Sequence, residues 1–304
     1  TRGDYVMKPD DVIKIIVDEL KELDKCIKEG KPKDSWVMPF ALTSSLPKNK
    51  ITDTRYKGFN LYMLYRIGKS KGYTMPEWAG WNQWINNGER IRFDERKNGS
   101  QILVPHLKEI EKSDGSKTKE MFFLRKNVFN IEQTEGYDYH AKLPKRKDID
   151  TALIHKQIER IKTNWNLDIK TGTSAYYDSD QTISLPPIED FKGKPKQKHN
   201  DYYSVLFHEL IHWTGHSARL NRKVYQSYHK NKNARSKEEL VAEIGSALMC
   251  NHYGLEVNIR EDHTRYIHSW AEYLTDKPNA LITCTNQAYK AYEYLIGELT
   301  CKDM

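Results

Sequence analysis

The residues of this chain best fitted to do chemistry lie in the run Leu206-Phe-His208-Glu209-Leu-Ile-His212-Trp213, an HExxH pattern. On a helix, a spacing of four puts both imidazoles on one face about one turn apart, where a single divalent cation can take both. Glu209, next to the first histidine, is placed to take a proton from water acidified by such a cation, which is the chemistry of amide hydrolysis. So short a pattern also arises by chance, and then means only a helix with two ordinary histidines and an exposed glutamate. Against that stand Phe207, Leu210, Ile211 and Trp213, which would bury the helix and leave the histidines in an interior with no other evident purpose.

A third ligand is then required. In Ser236-Lys-Glu-Glu239-Leu-Val-Ala-Glu243, Ser236 is a candidate N-cap, and Glu239 and Glu243 share one helical face. Glu239 as ligand, with Glu243 orienting a ligand histidine, is the order of Glu-type zincins; the reverse assignment stays open. A metzincin arrangement fails, because the position six past His212 is Ala218. His216 follows Gly215, where the helix should end, and is expected to cap or line a pocket. Tyr176 and Tyr177 are expected on an edge strand, lining a cleft or simply packing. The pattern predicts a zinc-dependent metallopeptidase site, with Mn2+ as another possible occupant.

The elements that must position these groups can be read from apolar spacing. Residues 9–29 form an amphipathic helix through Val12, Ile16, Leu20, Leu23 and Ile27, ending near Gly30. Further helices are predicted over 60–67 and 78–86, and strands over 89–94, 101–107 and 121–128, the last two forming a hairpin turned at Asp114-Gly115. The polar, basic stretch from Tyr139 to Lys147 is the linker candidate. Beyond it come a helix over 151–164, an edge hairpin over 173–185 turning at Asp178 to Gln181, and helices over 200–214, 236–253, 260–274 and 277–299. The fold class is therefore α+β: a small α+β domain over residues 1–140, a linker at 141–150, and a mainly helical domain with a short sheet over 151–304.

Charge distinguishes the halves. Residues 1–150 hold 29 Lys and Arg against 23 Asp and Glu, whereas the rest hold 20 against 19. Residues 48–97 alone carry 11 basic and 5 acidic side chains, a local excess that would attract a polyanion or amount to no more than a solvated face. Aromatics interleave with this charge, as single-stranded nucleic acid requires: bases stack on rings while cations meet phosphates. Tyr56, Lys57, Asn60, Trp81, Trp84, Arg90, Arg92 and Lys97 are the candidates, although for at least one tryptophan of the 78, 81 and 84 set a packed helix face is the better account. Cys26, Cys250, Cys284 and Cys301 are scattered and suggest neither disulfides nor a thiolate metal site. With no apolar run of membrane length and no secretion-signal core in TRGDYVMKPDD, a soluble cytoplasmic protein without membrane partners is expected.

Taken together, FHELIHWTGHSARLNR, SKEELVAEIGSALMCNHYGL and HSWAEYL followed by NQAYKAYEYL resemble the metallopeptidase-like domain of the ArdC-type antirestriction proteins of plasmids and other mobile elements. In the first half YKGFNLYML, WAGWNQWINNGERIRF and NVFNIEQTEG are similar to that family's single-stranded-DNA-binding domain. The resemblance spans about residues 9–297. It implies a zincin-like C-terminal domain, single-stranded DNA as partner, and protection of incoming DNA. Where the family has a compact basic turn, this chain reads Arg92-Phe-Asp-Glu-Arg-Lys-Asn-Gly99, so two acids enter a basic segment. Three functions follow from the residues: DNA binding with hydrolysis of a still unnamed protein substrate, DNA binding with a structural metal, and a host-directed peptidase whose basic domain holds an acidic protein.

Overall fold

The computed structural model of the chain describes residues 8–29, 46–111, 116–138, 151–178, 181–255 and 264–297. The linker candidate, the Asp114-Gly115 turn, much of the 178–181 turn and the start of the 260–274 helix lie outside them. The chain divides into two compact units, one taking it up to Ile13 and from Leu46 to Leu143, the other Lys14–Ser45 and everything from Pro144 on. The first helix, α1 (Pro9–Lys28), was expected wholly in the first domain. Contacts group its residues from Lys14 on with the second unit, where His268 Nδ1 lies 3.0 Å from Asp24 and 3.2 Å from Lys28 Nζ.

In the first unit, β1 (Lys48–Asn49), α2 (Gly58–Lys71), β2 (Glu77–Gly80), α3 (Trp81–Asn86), β3 (Ser100–Glu111) and β4 (Lys117–Asn130) follow in order. The sheet runs β1-β2-β4-β3, with β1 parallel to β2 and the other pairs antiparallel. α2 ends at Gly72, whose left-handed φ of 73° no β-carbon disfavours. The helix expected over 78–86 begins only at Trp81, because Trp78 and Ala79 pair with Asn130 and Phe129 in the sheet. Residues 89–94 form no strand: Ile91 makes a single bridge to Thr134, and Phe93–Glu95 is a turn of 3-10 helix. Trp84 fills the core with Ala79, Ile91 and Phe129, and its indole donates to the Phe129 carbonyl at 3.1 Å.

In the second unit, α4 (Thr151–Trp165), β5 (Asp168–Thr171), β6 (Tyr176–Tyr177) and β7 (Thr182–Leu185) precede α5 (Pro195–Thr214), α6 (Lys223–Gln226), α7 (Lys232–His252), α8 (Thr264–Asp276) and α9 (Ala280–Ile296). The sheet order β5-β7-β6 adds a parallel strand, β5, to the expected hairpin and leaves β6 at an edge. α7 starts earlier than expected: Asn231, rather than Ser236, accepts from the backbone of Asn233 and Ala234 as its cap. α5 and α7 approach closely at Gly245, where a β-carbon would lie 2.6 Å from Ile211 Cδ1. A glycine inside a helix costs about 1 kcal/mol against alanine, so the close approach is its structural reason. Ser246 donates across the same interface to the Ser204 carbonyl at 2.8 Å.

Trp84, 1% exposed, and Trp81, 37% exposed, differ in burial on one short helix. Trp84→Ala is therefore expected to cost about 3–5 kcal/mol in the urea unfolding of the first unit, and Trp81→Ala a fraction of that. Equal losses would contradict the packing described.

Candidate metal centre

α5 and α7 bring four sequence-predicted residues to one place. His208 Nε2 and His212 Nε2 are 3.1 Å apart, and Glu239 Oε2 lies 3.3 Å from the first and 3.7 Å from the second. All three side chains are buried, and their donor atoms fit within 4.8 Å of one another. Two ligands about 2.0–2.1 Å from a tetrahedral cation sit roughly 3.3–3.4 Å apart, so the donor set has the spacing and chemistry of a divalent-metal site. Glu243 Oε1 stands 3.0 Å from the other nitrogen of His208, Nδ1. Glu209 joins the wall of a pocket of about 540 Å³ that also exposes both histidines, Glu239 and Glu243.

Three further residues complete the centre without having been singled out. Glu238 approaches His212 Nδ1 at 3.3 Å, so each imidazole has a carboxylate at Nδ1 and turns Nε2 to the common point. Arg222 holds Glu238 in place through Nε at 3.1 Å and through Nη2, while its Nη1 and Nη2 donate at 2.6 Å to Thr214 Oγ1 and the Ile211 carbonyl. Tyr228 donates its hydroxyl to Glu239 Oε1 and lies edge-on to His212. The only sequence signal for Glu238 is its place beside Glu239, and Arg222 sits in a connecting segment with no periodicity to mark it. Tyr176 and Tyr177 both line the pocket from edge strand β6. His216 lies outside the cluster, its Nδ1 accepting from the Ala218 backbone at 3.1 Å.

The nucleic-acid candidates divide. Trp84 is buried, and Asn60 spends both ends of its amide on Leu103, donating to the carbonyl at 2.7 Å and accepting from the N–H at 2.8 Å; neither presents a group to a ligand. Arg92 is turned inward, donating to the Glu132 carbonyl at 2.6 Å. Tyr56 is half-buried, which pushes its phenol up to about 12. Lys57, Trp81, Arg90 and Lys97 are exposed.

A family model for zincin-like metallopeptidases matches residues 156–287, and one for the N-terminal domain of anti-restriction factor ArdC matches residues 11–135. The metal-free crystal structure of the antirestriction protein ArdC from plasmid R388 superposes with a TM-score of 0.68 at 28% identity, covering 91% of this chain and 94% of that one. The chain joins an ArdC N-terminal domain to a zincin-like metallopeptidase domain, as its likeness to the R388 protein over both halves also indicates. The Mn(II)-bound structure of the R388 protein superposes with a TM-score of 0.63 at 25% identity, over 92% of this chain and 97% of that one. Protein y4eC of Sinorhizobium fredii is 28% identical over 82% of this chain and 80% of its own length. The DNA primase TraC of Escherichia coli is 28% identical over 83% of this chain, which spans only 18% of that protein. Among the described residues no helix is long and apolar enough to cross a membrane.

The electrostatics of this centre set its pH dependence. Burial alone would depress both imidazoles, but the carboxylates of Glu243 and Glu239 outweigh it at His208 and hold that ring well above 6.5. At His212, Glu238 and Glu239 do the same, raising it to about 9. Burial opposes ionisation of Glu239, yet the two imidazoles hold it well below the carboxylate range. A cation must displace those imidazole protons, so divalent-metal affinity measured by titration calorimetry is expected to rise with pH from 6.5 through about 9. In the metal-free protein the raised His212 contributes stability in full below 6.5, and that contribution is lost as pH climbs through about 9; the raised His208 acts in the same direction. Glu238→Gln should lower metal affinity roughly 10–100-fold; unchanged affinity would remove Glu238 from the centre.

Proposed function

We propose that this protein binds single-stranded DNA through its first unit and hydrolyses a peptide bond at a divalent-metal site in its second, protecting the DNA of a mobile element. One observation carries the hydrolytic half: His208, His212 and Glu239 converge at the pocket whose wall also presents Glu209. Two imidazoles and one carboxylate suit Zn2+, and the Mn(II)-bound relative supports Mn2+ as an alternative. A cation held there supplies Lewis acidity that polarises a carbonyl and acidifies water. Glu209 accepts the proton of the attacking water and returns it to the departing amine. Glu243 and Glu238 keep the imidazoles oriented, while β6 lies at the sheet edge beside the pocket, where an extended substrate chain can run.

The DNA half rests on the basic excess of residues 48–97 and on exposed Lys57, Trp81, Arg90 and Lys97. Both units resemble ArdC, and the R388 relative is an antirestriction protein.

His208→Ala and His212→Ala should lose the metal, measured by elemental analysis after dialysis. Glu209→Gln should keep it while failing to release new amino termini from a mixture of denatured proteins. Cleavage by Glu209→Gln at the wild-type rate would sink the hydrolytic role. Binding to single-stranded oligonucleotides should weaken steeply with salt, and Arg90→Gln or Lys97→Gln should each flatten that slope by about 0.7. Chelating the metal should leave the binding largely intact.

A further inference from the structure

Phe93 is 82% exposed, more than any other large hydrophobic side chain among the described residues. It does not hang from a loose loop. Glu95 Oε2 accepts from Gln133 Nε2 at 2.8 Å, and the Asn98 side chain donates to the Asp94 carbonyl at 3.2 Å while its N–H donates to the Glu95 carbonyl at 2.9 Å. With Arg92 fixed on the Glu132 carbonyl, the turn is locked from both sides and holds the ring out in water. A rigid, solvated ring forgoes the burial that most phenylalanines obtain.

Its neighbours show what such a ring can receive. The Arg96 guanidinium lies 5.2 Å from the Phe93 ring centre and 5.9 Å from that of Trp81. Trp81 is itself held edge-on against Phe129, with ring centres 5.7 Å apart. The acids that interrupt this basic segment are directed to Arg92, with Asp94 3.7 Å from its Nε and Glu95 3.4 Å from its Nη2. Arg96 makes no ion pair among the described residues, so its charge stays available beside two aromatic faces.

We infer that Phe93, Arg96 and Trp81 form a platform on which an unpaired nucleobase stacks, with Arg96 meeting the adjoining phosphate. The inference rests on the single-stranded-DNA binding proposed above. Ring faces accept any base, a planar cation suits both a base face and a phosphate, and the surrounding 48–97 segment is basic. Stacking needs an unpaired base, so the platform discriminates single strands from duplex.

The full-length protein is titrated at low salt into a fluorescein-labelled oligothymidylate and into a duplex, followed by anisotropy. Phe93→Ala should weaken single-strand binding roughly ten-fold while leaving its salt slope unchanged. Phe93→Trp should restore the affinity, and Arg96→Gln should weaken binding and flatten the slope by about 0.7. Duplex binding should not respond to Phe93→Ala. Because Phe93 is solvated, an unchanged unfolding midpoint confirms that the variant is folded. If the wild type binds the oligothymidylate and Phe93→Ala binds it equally well, or loses the same factor on duplex, the platform is refuted while the DNA-binding function stands. If the wild type binds no single strand, the DNA-binding function falls and the platform with it.

Discussion

Two imidazoles and three carboxylates share the narrow space between α5 and α7, and the arrangement of the second unit follows from keeping that concentration of charge tolerable. Buried charges survive only when paired and hydrogen-bonded, and removing one partner from such a set typically costs about 3–5 kcal/mol. Here Glu243 and Glu238 each occupy one histidine's Nδ1, Tyr228 takes one oxygen of Glu239, and Arg222 compensates the fully buried Glu238. The inner face, both Nε2 atoms and the other oxygen of Glu239, is turned to one common point where these groups meet only each other. Metal-free, that face holds protons, which is why both histidines stay charged far above their ordinary range. Proton and cation thus compete for one position, and backbone packing sets the position by letting Ile211 seat against Gly245.

The parts of this centre that could be read from the chain are those that helical spacing announces. His208 and His212 stand one turn apart, as do Glu239 and Glu243, and period alone assigned each pair to a face. Glu238 escaped because it is adjacent to Glu239 and projects about 100° away round the helix, onto an imidazole that only the packing of α5 on α7 places there. Arg222 and Tyr228 come from connecting segments, where residue type carries little information until the tertiary structure closes. Secondary structure failed for the same reason. Trp78 looks helical by its spacing to Trp81 and Trp84, yet its backbone is captured by Asn130 of β4. The polar run Asp168–Thr171 has nothing local to mark a strand and becomes one by pairing with β7. α1 has a legible apolar stripe, but a stripe does not name its partner: contacts group the helix from Lys14 on with the second unit, whereas the ArdC N-terminal model takes in the chain from residue 11.

Single-stranded DNA binding asks for the reverse of core packing: aromatic rings that stay wet and cations that stay unpaired. Composition cannot separate these from their structural counterparts. Trp81 and Trp84 are three residues apart, and only the strand-to-helix junction at Gly80 sends Trp84 inward and leaves Trp81 partly in solvent. Asn60 looks like a polar contact residue until its amide is found closing on the backbone of Leu103.

An arginine solves the same electrostatic problem in each unit. At the metal centre Arg222 occupies Glu238, and with that carboxylate fixed, His212 is oriented rather than merely neutralised. In the turn at Phe93, Arg92 draws Asp94 and Glu95 toward itself, so two acids that on a linear count would cancel the local basic charge leave Arg96 without an ion pair among the described residues. Coulomb attraction between groups about 4 Å apart far exceeds that between groups a Debye length away, so the geometry of neutralisation decides what a ligand meets. Net charge along a segment is therefore a poor guide to the surface it builds. In this turn Arg92 engages both acids, and Arg96 is left with its guanidinium beside two rings.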